Sequence, residues 1–410
     1  MNEIKSRGRS RSREKMKLLL DDDDDDIRGK KTKKSRSSSG NSGGRSKESK
    51  TKSTMKIPTT SMKTSSSSSS SSSNILKYDD GTKQFRLRII CSLLSQKPLL
   101  IRNIRSNDLE HPGLSDYEIS YLRLIDKLTN GTQIIINNTG TQLKFIPGIL
   151  LGGTNIQHDC PVGTPSTPST STSNDGTSTA TSATRSIGWY LEGILPLGPF
   201  GKENLSVTLT GITDGCCDVD PSPDYLKLSV IPIMEHFGIG IDSEEDGNVK
   251  PSIQILSRAA AGPKDYNDDP NNKENLGKVV FTCPIIRKEL HPIDITDVGK
   301  IKRIRGTAIS NKIVSSSMAA RVAYSAKGIF HKLLPDVWIH TDVNTPKKKK
   351  SRIGGCGINP SLSLIVSSQS TTGIVMTAEC CMKTNTGEGG RGSELAEDLG
   401  KRGACLLLEE

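Results

Sequence analysis

The stretch from Ile101 to Gly153 decides how this chain is read. It runs I-R-N-I-R-S-N-D over 101–108, P-G-L-S-D-Y-E over 112–118, L-T-N-G-T over 128–132 and N-N-T-G-T-Q-L-K-F-I-P-G-I-L-L-G-G over 137–153. Ser115 with Glu118 three residues on is a capping box, the reciprocal side-chain-to-backbone arrangement that opens a helix. Ile119, Leu122, Ile125 and Leu128 then recur at helical spacing. Asn130-Gly131 ends that pattern. Gln133–Asn137 and Thr141–Ile146 read as two strands joined by the turn Asn-Asn-Thr-Gly. The segment therefore predicts a helix followed by a hairpin.

Working outward, Phe85 to Leu94 sets Arg86 and Arg88 against Phe85, Leu87 and Ile89, which suits a half-buried strand or the start of a short helix. Arg185–Leu195 reads as a helix and Leu205–Ile212, with strict alternation, as a strand. Tyr225–Phe237 is helical in spacing, with a kink expected at Pro232. Ile253–Leu256 and Val279–Cys283 read as paired strands around a polar insertion, Gly262–Asn275. Residues 161–184, rich in Ser, Thr, Pro and Gly, read as an inserted loop. Strand–helix–strand–strand units thus recur between 85 and 283. Further on, Ser317–Leu334 is a helix with Val322, Ala326, Ile329 and Leu333 on one face. Asp336–Thr341 follows as a strand, then strands near Leu362–Val366 and Gly373–Glu379, and a last helix from Ser393.

Composition divides the chain. Only 33% of its 410 residues are hydrophobic and 4% aromatic, so part of it lacks the means to pack. Residues 1–84 hold 21 of the 56 Lys+Arg and 11 of the 45 Asp+Glu, leaving 35 against 34 for everything after. The basic character belongs to a tail, not to the fold. That tail, 1–83, carries an Arg/Ser segment (Arg7–Arg13), six aspartates (Asp21–Asp26), a lysine cluster (Lys30, Lys31, Lys33, Lys34) and nine serines (Ser65–Ser73). It is expected to be disordered, with basic clusters suited to nuclear import and non-specific RNA contact. The nine cysteines include the adjacent pairs Cys216-Cys217 and Cys380-Cys381 and show no metal-ligand spacing. No apolar run approaches the ~18–20 residues of a membrane span. Leu18–Leu20 is too short for a signal-peptide core. The expectation is a soluble intracellular protein with no membrane, metal or cofactor.

The Ser-Asn-Asp after Ile104-Arg105, the run Asp116-Tyr117-Glu118 and the later His158-Asp159-Cys160 resemble the RNA 3'-terminal phosphate cyclase superfamily, on its eukaryotic cyclase-like branch. The resemblance covers roughly residues 84–410. It implies an α/β (α+β) fold: repeated units of a four-stranded sheet backed by two helices, with a smaller α/β domain inserted. On that pattern 84–284 and 376–410 form the repeat domain and 285–375 the insert. Relatives continue beyond the Leu408-Glu409-Glu410 end, so a truncated C-terminus is expected.

Three places separate a cyclase from a binding factor. Cyclases open with a glycine-rich stretch that lets the backbone approach phosphate. Here the text is Tyr78-Asp79-Asp80-Gly81-Thr82-Lys83-Gln84-Phe85-Arg86, with one glycine and two carboxylates that would repel a nucleotide. The family signature, Arg-Gly before a glycine run, is replaced by Arg258-Ala259-Ala260-Ala261-Gly262-Pro263. Cyclases form a covalent adenylate on a histidine in the last helix. The matching text is Leu399-Gly400-Lys401-Arg402, and the protonated guanidinium of Arg402 has no lone pair for attack. No catalytic residue is assigned.

Basic residues remain as candidate RNA or partner contacts. Lys302, Arg303 and Arg305 lie in Lys300–Gly306, with Ile301 and Ile304 expected inward; the plain alternative is a solvated strand edge. Lys347, Lys348, Lys349, Lys350 and Arg352 make a denser patch suited to RNA phosphates. Arg105 matches a substrate-contacting position of cyclases and here would hold RNA or brace the fold. His158-Asp159-Cys160 is read as a turn or strand end.

What the resemblance implies is a nucleolar factor of the small-subunit processome, required for early pre-rRNA cleavages that release 18S rRNA. It implies a ribosome-assembly GTPase and pre-rRNA as partners, the chain serving as a catalytically inactive docking module. A pre-rRNA endonuclease is the alternative, ahead of an active cyclase. Metal-dependent cleavage would want clustered carboxylates, and Asp218, Asp220, Asp224, Glu244, Glu245 and Asp246 are read as solvated loop charge.

Overall fold

Among the described residues three four-stranded sheets carry the fold, and the first two share one connectivity. The computed structural model describes residues 75–109, 111–162, 185–214, 220–240, 250–259, 276–311, 316–344, 362–382 and 395–409. The 262–275 insertion and the Lys347–Lys350 and Arg352 patch lie outside these residues, as do nearly all of the N-terminal tail and of the 161–184 loop.

The first unit contains β1 (Leu76–Tyr78), α1 (Phe85–Ser95), β2 (Leu99–Ile101), α2 (Asp116–Leu128), β3 (Thr129–Asn130), β4 (Gln133–Ile136), β5 (Leu143–Ile146) and β6 (Ile149–Leu150). Its sheet runs β1-β2-β5-β4, with β1 and β2 parallel and the rest antiparallel; β3 and β6 pair separately. The second contains β7 (Gly153–Asp159), α3 (Ile187–Ile194), β8 (Leu205–Gly211), α4 (Pro223–His236), β9 (Ser252–Ser257) and β10 (Gly277–Cys283), in the order β7-β8-β10-β9. The unit is β-α-β-α-β-β both times: a unit recurs, as expected, but it holds one more strand and helix than the strand–helix–strand–strand pattern read from the sequence, because the short strands β1 and β2 show no period. The third group, β11 (Ile301–Asn311), α5 (Ser316–Phe330), β12 (Val337–Asn344), β13 (Leu362–Ser370), β14 (Val375–Cys381) and α6 (Ala396–Glu409), is wired differently, as β12-β11-β13-β14.

Local sequence explains most of these elements. Phe85, Ile89, Ile90 and Leu93 are buried at helical spacing, so 85–95 is a helix, not a strand. Its arginines alternate because each has a separate duty. Arg86 bonds the Trp189 carbonyl and Glu192 and lies over the Trp189 ring. Arg88 pairs with Asp80 and stacks on Tyr78. The Ser115–Glu118 capping box is present, and α4 opens with Pro223 behind the cap Ser222 and continues through Pro232.

Two hydrophobic cores result. One joins the first two units, from Phe85 to Cys283. At its centre Tyr117, Tyr121, Trp189 and Tyr190 meet edge to face, with neighbouring ring centroids 5.0–5.6 Å apart. Tyr121 donates to the Gly193 carbonyl at 3.0 Å, and a Cβ on Gly193 would stand 2.4 Å from the Tyr121 ring. Glycine is what lets α3 settle on α2. The other core runs from Ile304 to Leu407. β14 pairs with β13 along its whole length, and α6 closes over both. The position 375/376, expected as a domain edge, therefore lies within one sheet and one core.

Candidate functional site

The loops after parallel strands β1 and β2 come together at the carboxyl ends of those strands, the usual place for a ligand in such a sheet. They hold Asp79, Asp80, Thr82, Asn103 and Arg105. Asn103 and Arg105 both adopt positive φ, 56° and 41°, unusual for residues other than glycine. Each is held by its side chain: Asn103 Nδ2 donates to the Asp79 carbonyl at 2.9 Å, and Arg105 Nε donates to the Gly113 carbonyl at 2.7 Å. The Arg105 guanidinium also reaches Thr82 Oγ1 at 3.3 Å and forks onto Glu118. Glu118 is 2% exposed and accepts from the Ser115 amide as well, at 2.8 Å. Burial works against the Arg105 charge, but Glu118 outweighs it and holds the pKa above its ordinary value. Of the two roles open to Arg105, the geometry describes the brace.

Arg402 has a comparable structural duty. It lies on α6 and donates to the Cys381 carbonyl, tying the helix to the end of β14. Neighbouring Gly400 and Gly403 set α6 close: a Cβ on Gly400 would stand 2.5 Å from the Val322 carbonyl of α5, and one on Gly403 2.7 Å from Cys380 Sγ.

Lys302, Arg303 and Arg305 lie on β11, which pairs with β12 on one side and β13 on the other. β11 is central and β12 is the edge, but the β12 ladder begins at Ile304, so Arg305 lies between two strands while Lys302 and Arg303 precede the paired stretch on the β12 side. The register slips between Ile301 and Arg303, a bulge that places Lys302 out of the ladder. The extra residue turns Ile301 and Ile304 to the same core, as expected, though three positions would otherwise oppose them. Lys302 is exposed; Arg303 Nε donates to Gln369 Oε1 at 2.6 Å. Arg305 forks onto Asp336 at 2.9 and 3.0 Å.

The acidic residues read as solvated loop charge are also corrected where they are described. Asp220, 5% exposed, takes Arg185 at 2.9 Å and the Ser186 amide at 3.0 Å. Asp224 is in the first turn of α4 and receives both terminal nitrogens of Arg258. Arg258 also donates through Nε to Asp342 of β12 at 3.1 Å. The altered signature thus begins with an arginine that joins the second unit to the third sheet, a use sequence spacing did not reveal. Among the described residues no group of three or more His, Cys, Asp or Glu could hold a metal ion, and no helix is long and apolar enough to cross a membrane.

His158-Asp159-Cys160 is a strand end, as expected. His158 and Cys160 are 4% and 3% exposed, and burial pushes the Cys160 thiol up, away from a reactive thiolate. His158 Nε2 stands 2.9 Å from Ser120 Oγ, and Nδ1 faces Lys127 Nζ at 3.5 Å. An ammonium beside Nδ1 fits the tautomer in which Nε2–H donates to Ser120. Burial first, then Lys127, lowers the His158 pKa from 6.5 to about 4. Below pH 6.5 the unfolded chain takes a proton that the folded one refuses. Stability should therefore fall by about 1.4 kcal/mol per pH unit between 6.5 and 4, about 3 kcal/mol in all. Urea titrations of wild type and His158→Gln across that window measure this; parallel pH profiles for the two would refute it.

Comparison with known proteins defines the class. Residues 78–247 match the family model described as RNA 3'-terminal phosphate cyclase, and 296–410 match that of its insert domain. The chain is 39% identical over 343 residues to a probable RNA 3'-terminal phosphate cyclase-like protein of Dictyostelium discoideum, covering 82% of this chain and 78% of that one. It is 39% identical over 334 residues to the RNA 3'-terminal phosphate cyclase-like protein of Homo sapiens (80% and 74%). It is 34% identical over 335 residues to the rRNA processing protein rcl1 of Schizosaccharomyces pombe (82% and 76%). The chain belongs to the RNA 3'-terminal phosphate cyclase-like family.

Proposed function

We propose that this protein acts in rRNA processing, as a nucleolar factor of the small-subunit processome required for early cleavages in 18S rRNA maturation. It works by docking rather than by cyclising RNA ends. The observation that carries this is Arg402. The position matching the cyclase nucleophile holds a permanently protonated side chain, already bonded to the Cys381 carbonyl. Two further features support the reading. Arg105 is taken up by Glu118, and the loop where a nucleotide phosphate would approach carries Asp79 and Asp80, which draw Arg102 and Arg88 into ion pairs of their own. Similarity to a protein named for rRNA processing supplies the process.

In this reading the partners are pre-rRNA and a ribosome-assembly GTPase. Lys302, Arg303 and Arg305 are the described contact candidates; Lys347, Lys348, Lys349, Lys350 and Arg352 belong to the same proposal. The test is an adenylylation assay with purified protein, α-labelled ATP, magnesium and RNA ending in a 3'-phosphate, an active cyclase alongside. No label on this protein is expected, together with loss of 18S rRNA on its depletion from cells. A covalent adenylate or a cyclic phosphate end would overturn the docking reading, as would cutting of pre-rRNA by the purified chain.

A further inference from the structure

The outer face of the third sheet, opposite α5 and α6, is only half covered. Ser222 at the start of α4 donates from its amide to Glu379 of β14 at 2.9 Å. On that side Ser363, Ile365, Ser367 and Thr377 are buried. The β11–β12 half is open along Trp338 and His340 of β12 and at the Lys302–Arg305 end of β11, while Ile309 further along β11 is buried. Val337 and Ile339 turn into the core, so Trp338 and His340 turn out, and Trp338 is 59% exposed. Their ring centroids are 6.4 Å apart and their planes 32° from parallel. The only other tryptophan, Trp189, is packed in the first core.

Charge on this half-face is one-sided. Arg305 lies opposite Trp338 in the ladder and is engaged by Asp336. Asp342, further along β12, is engaged by Arg258. Among the described residues both acids of this half-face, Asp336 and Asp342, are thereby matched, and the charge of Lys302 and Arg303 is left in excess. Two aromatic rings spaced along one strand of an open sheet, with cations on the neighbouring strand, are what unpaired bases and their phosphates require. A duplex would hide its base faces from such rings.

We infer that the open half of the third sheet is a platform for single-stranded RNA. Trp338 and His340 stack on two bases, and Lys302 and Arg303 meet the adjoining phosphates. This rests on the rRNA-processing reading and adds to it the kind of RNA touched and the side chains that touch it.

The test uses the full chain with a fluorescently labelled unpaired 12-mer RNA and a duplex of equal length. The 12-mer should quench the emission of the exposed tryptophan, and W338F should lose that quenching. W338A should bind roughly tenfold more weakly, as expected from loss of one stacked base, and K302A/R303A should weaken binding with a shallower salt dependence. Because Trp338 is exposed, W338A should melt like wild type, which separates a binding loss from misfolding. If wild type binds RNA while W338A and K302A/R303A bind equally well without quenching, the platform is refuted and the processing reading stands. A processing defect in W338A cells at unchanged RNA affinity would mark a protein-binding face and also refute it. If wild type binds no RNA, the platform falls, and the 18S rRNA measurement judges the processing reading separately.

Discussion

Glu118→Ala will destabilise the protein by about 3–5 kcal/mol, the range for removing one partner of a buried ion pair. The substitution removes three things at once. The Arg105 guanidinium loses its counterion in a place where its side chain is only 20% exposed. The Ser115 amide loses its acceptor, and with it half of the capping box that starts α2. Arg105 then sits at φ 41° with less to hold it there. Denaturant unfolding of Glu118→Ala, Arg105→Ala and the double variant measures the coupling. The double variant should be much closer to either single than to their sum. A loss under about 1 kcal/mol in Glu118→Ala would refute the brace, since an exposed ion pair is worth no more.

The second large effect is expected at Arg258→Ala, about 3 kcal/mol, the low end of the same range because Asp342 is 41% exposed. The change strands Asp224, 17% exposed, at the head of α4. It also leaves Asp342 on β12 without the second-unit partner seen here. The damage should be localised. Amide exchange should rise first at the start of α4 and in β12, while the Phe85–Cys283 core keeps its protection. Asp224→Asn should reproduce part of the loss. Uniform exchange over both cores would show that Arg258 does not act as a joint.

The regular parts of the fold were legible in the sequence wherever periodicity ran long enough. α2 and its capping box, the β4–β5 hairpin, and β8 with its strict alternation are all carried by neighbours in sequence. The short strands were not: β1 and β2 have three residues each, too few to show a period. In α1 the alternating arginines obscured the helix, because Arg86 answers to Trp189 and Arg88 to Asp80. Roles that depend on distant partners were hidden for the same reason. Glu118 could be read as a cap from Ser115, three residues away; its hold on Arg105 needs the fold. Asp224 and Asp342 meet at Arg258 from elements far apart in the chain. The exposed Trp338 and His340 did leave a trace, alternating with Val337 and Ile339. That trace means nothing until the covered side of the sheet is known.

The order of the sheets along the chain bears on how the protein is made. Every strand of the first sheet has been synthesised by Ile146 and every strand of the second by Cys283. Each unit can thus close its own ladder while the remainder is still being translated. Helix α2 is in place before α3 exists, so the faces of Tyr117 and Tyr121 stay bare until Trp189 and Tyr190 have followed. During that interval the nascent chain displays an aromatic patch that the finished protein hides. A chaperone that recognises such patches has its moment then, and not afterwards.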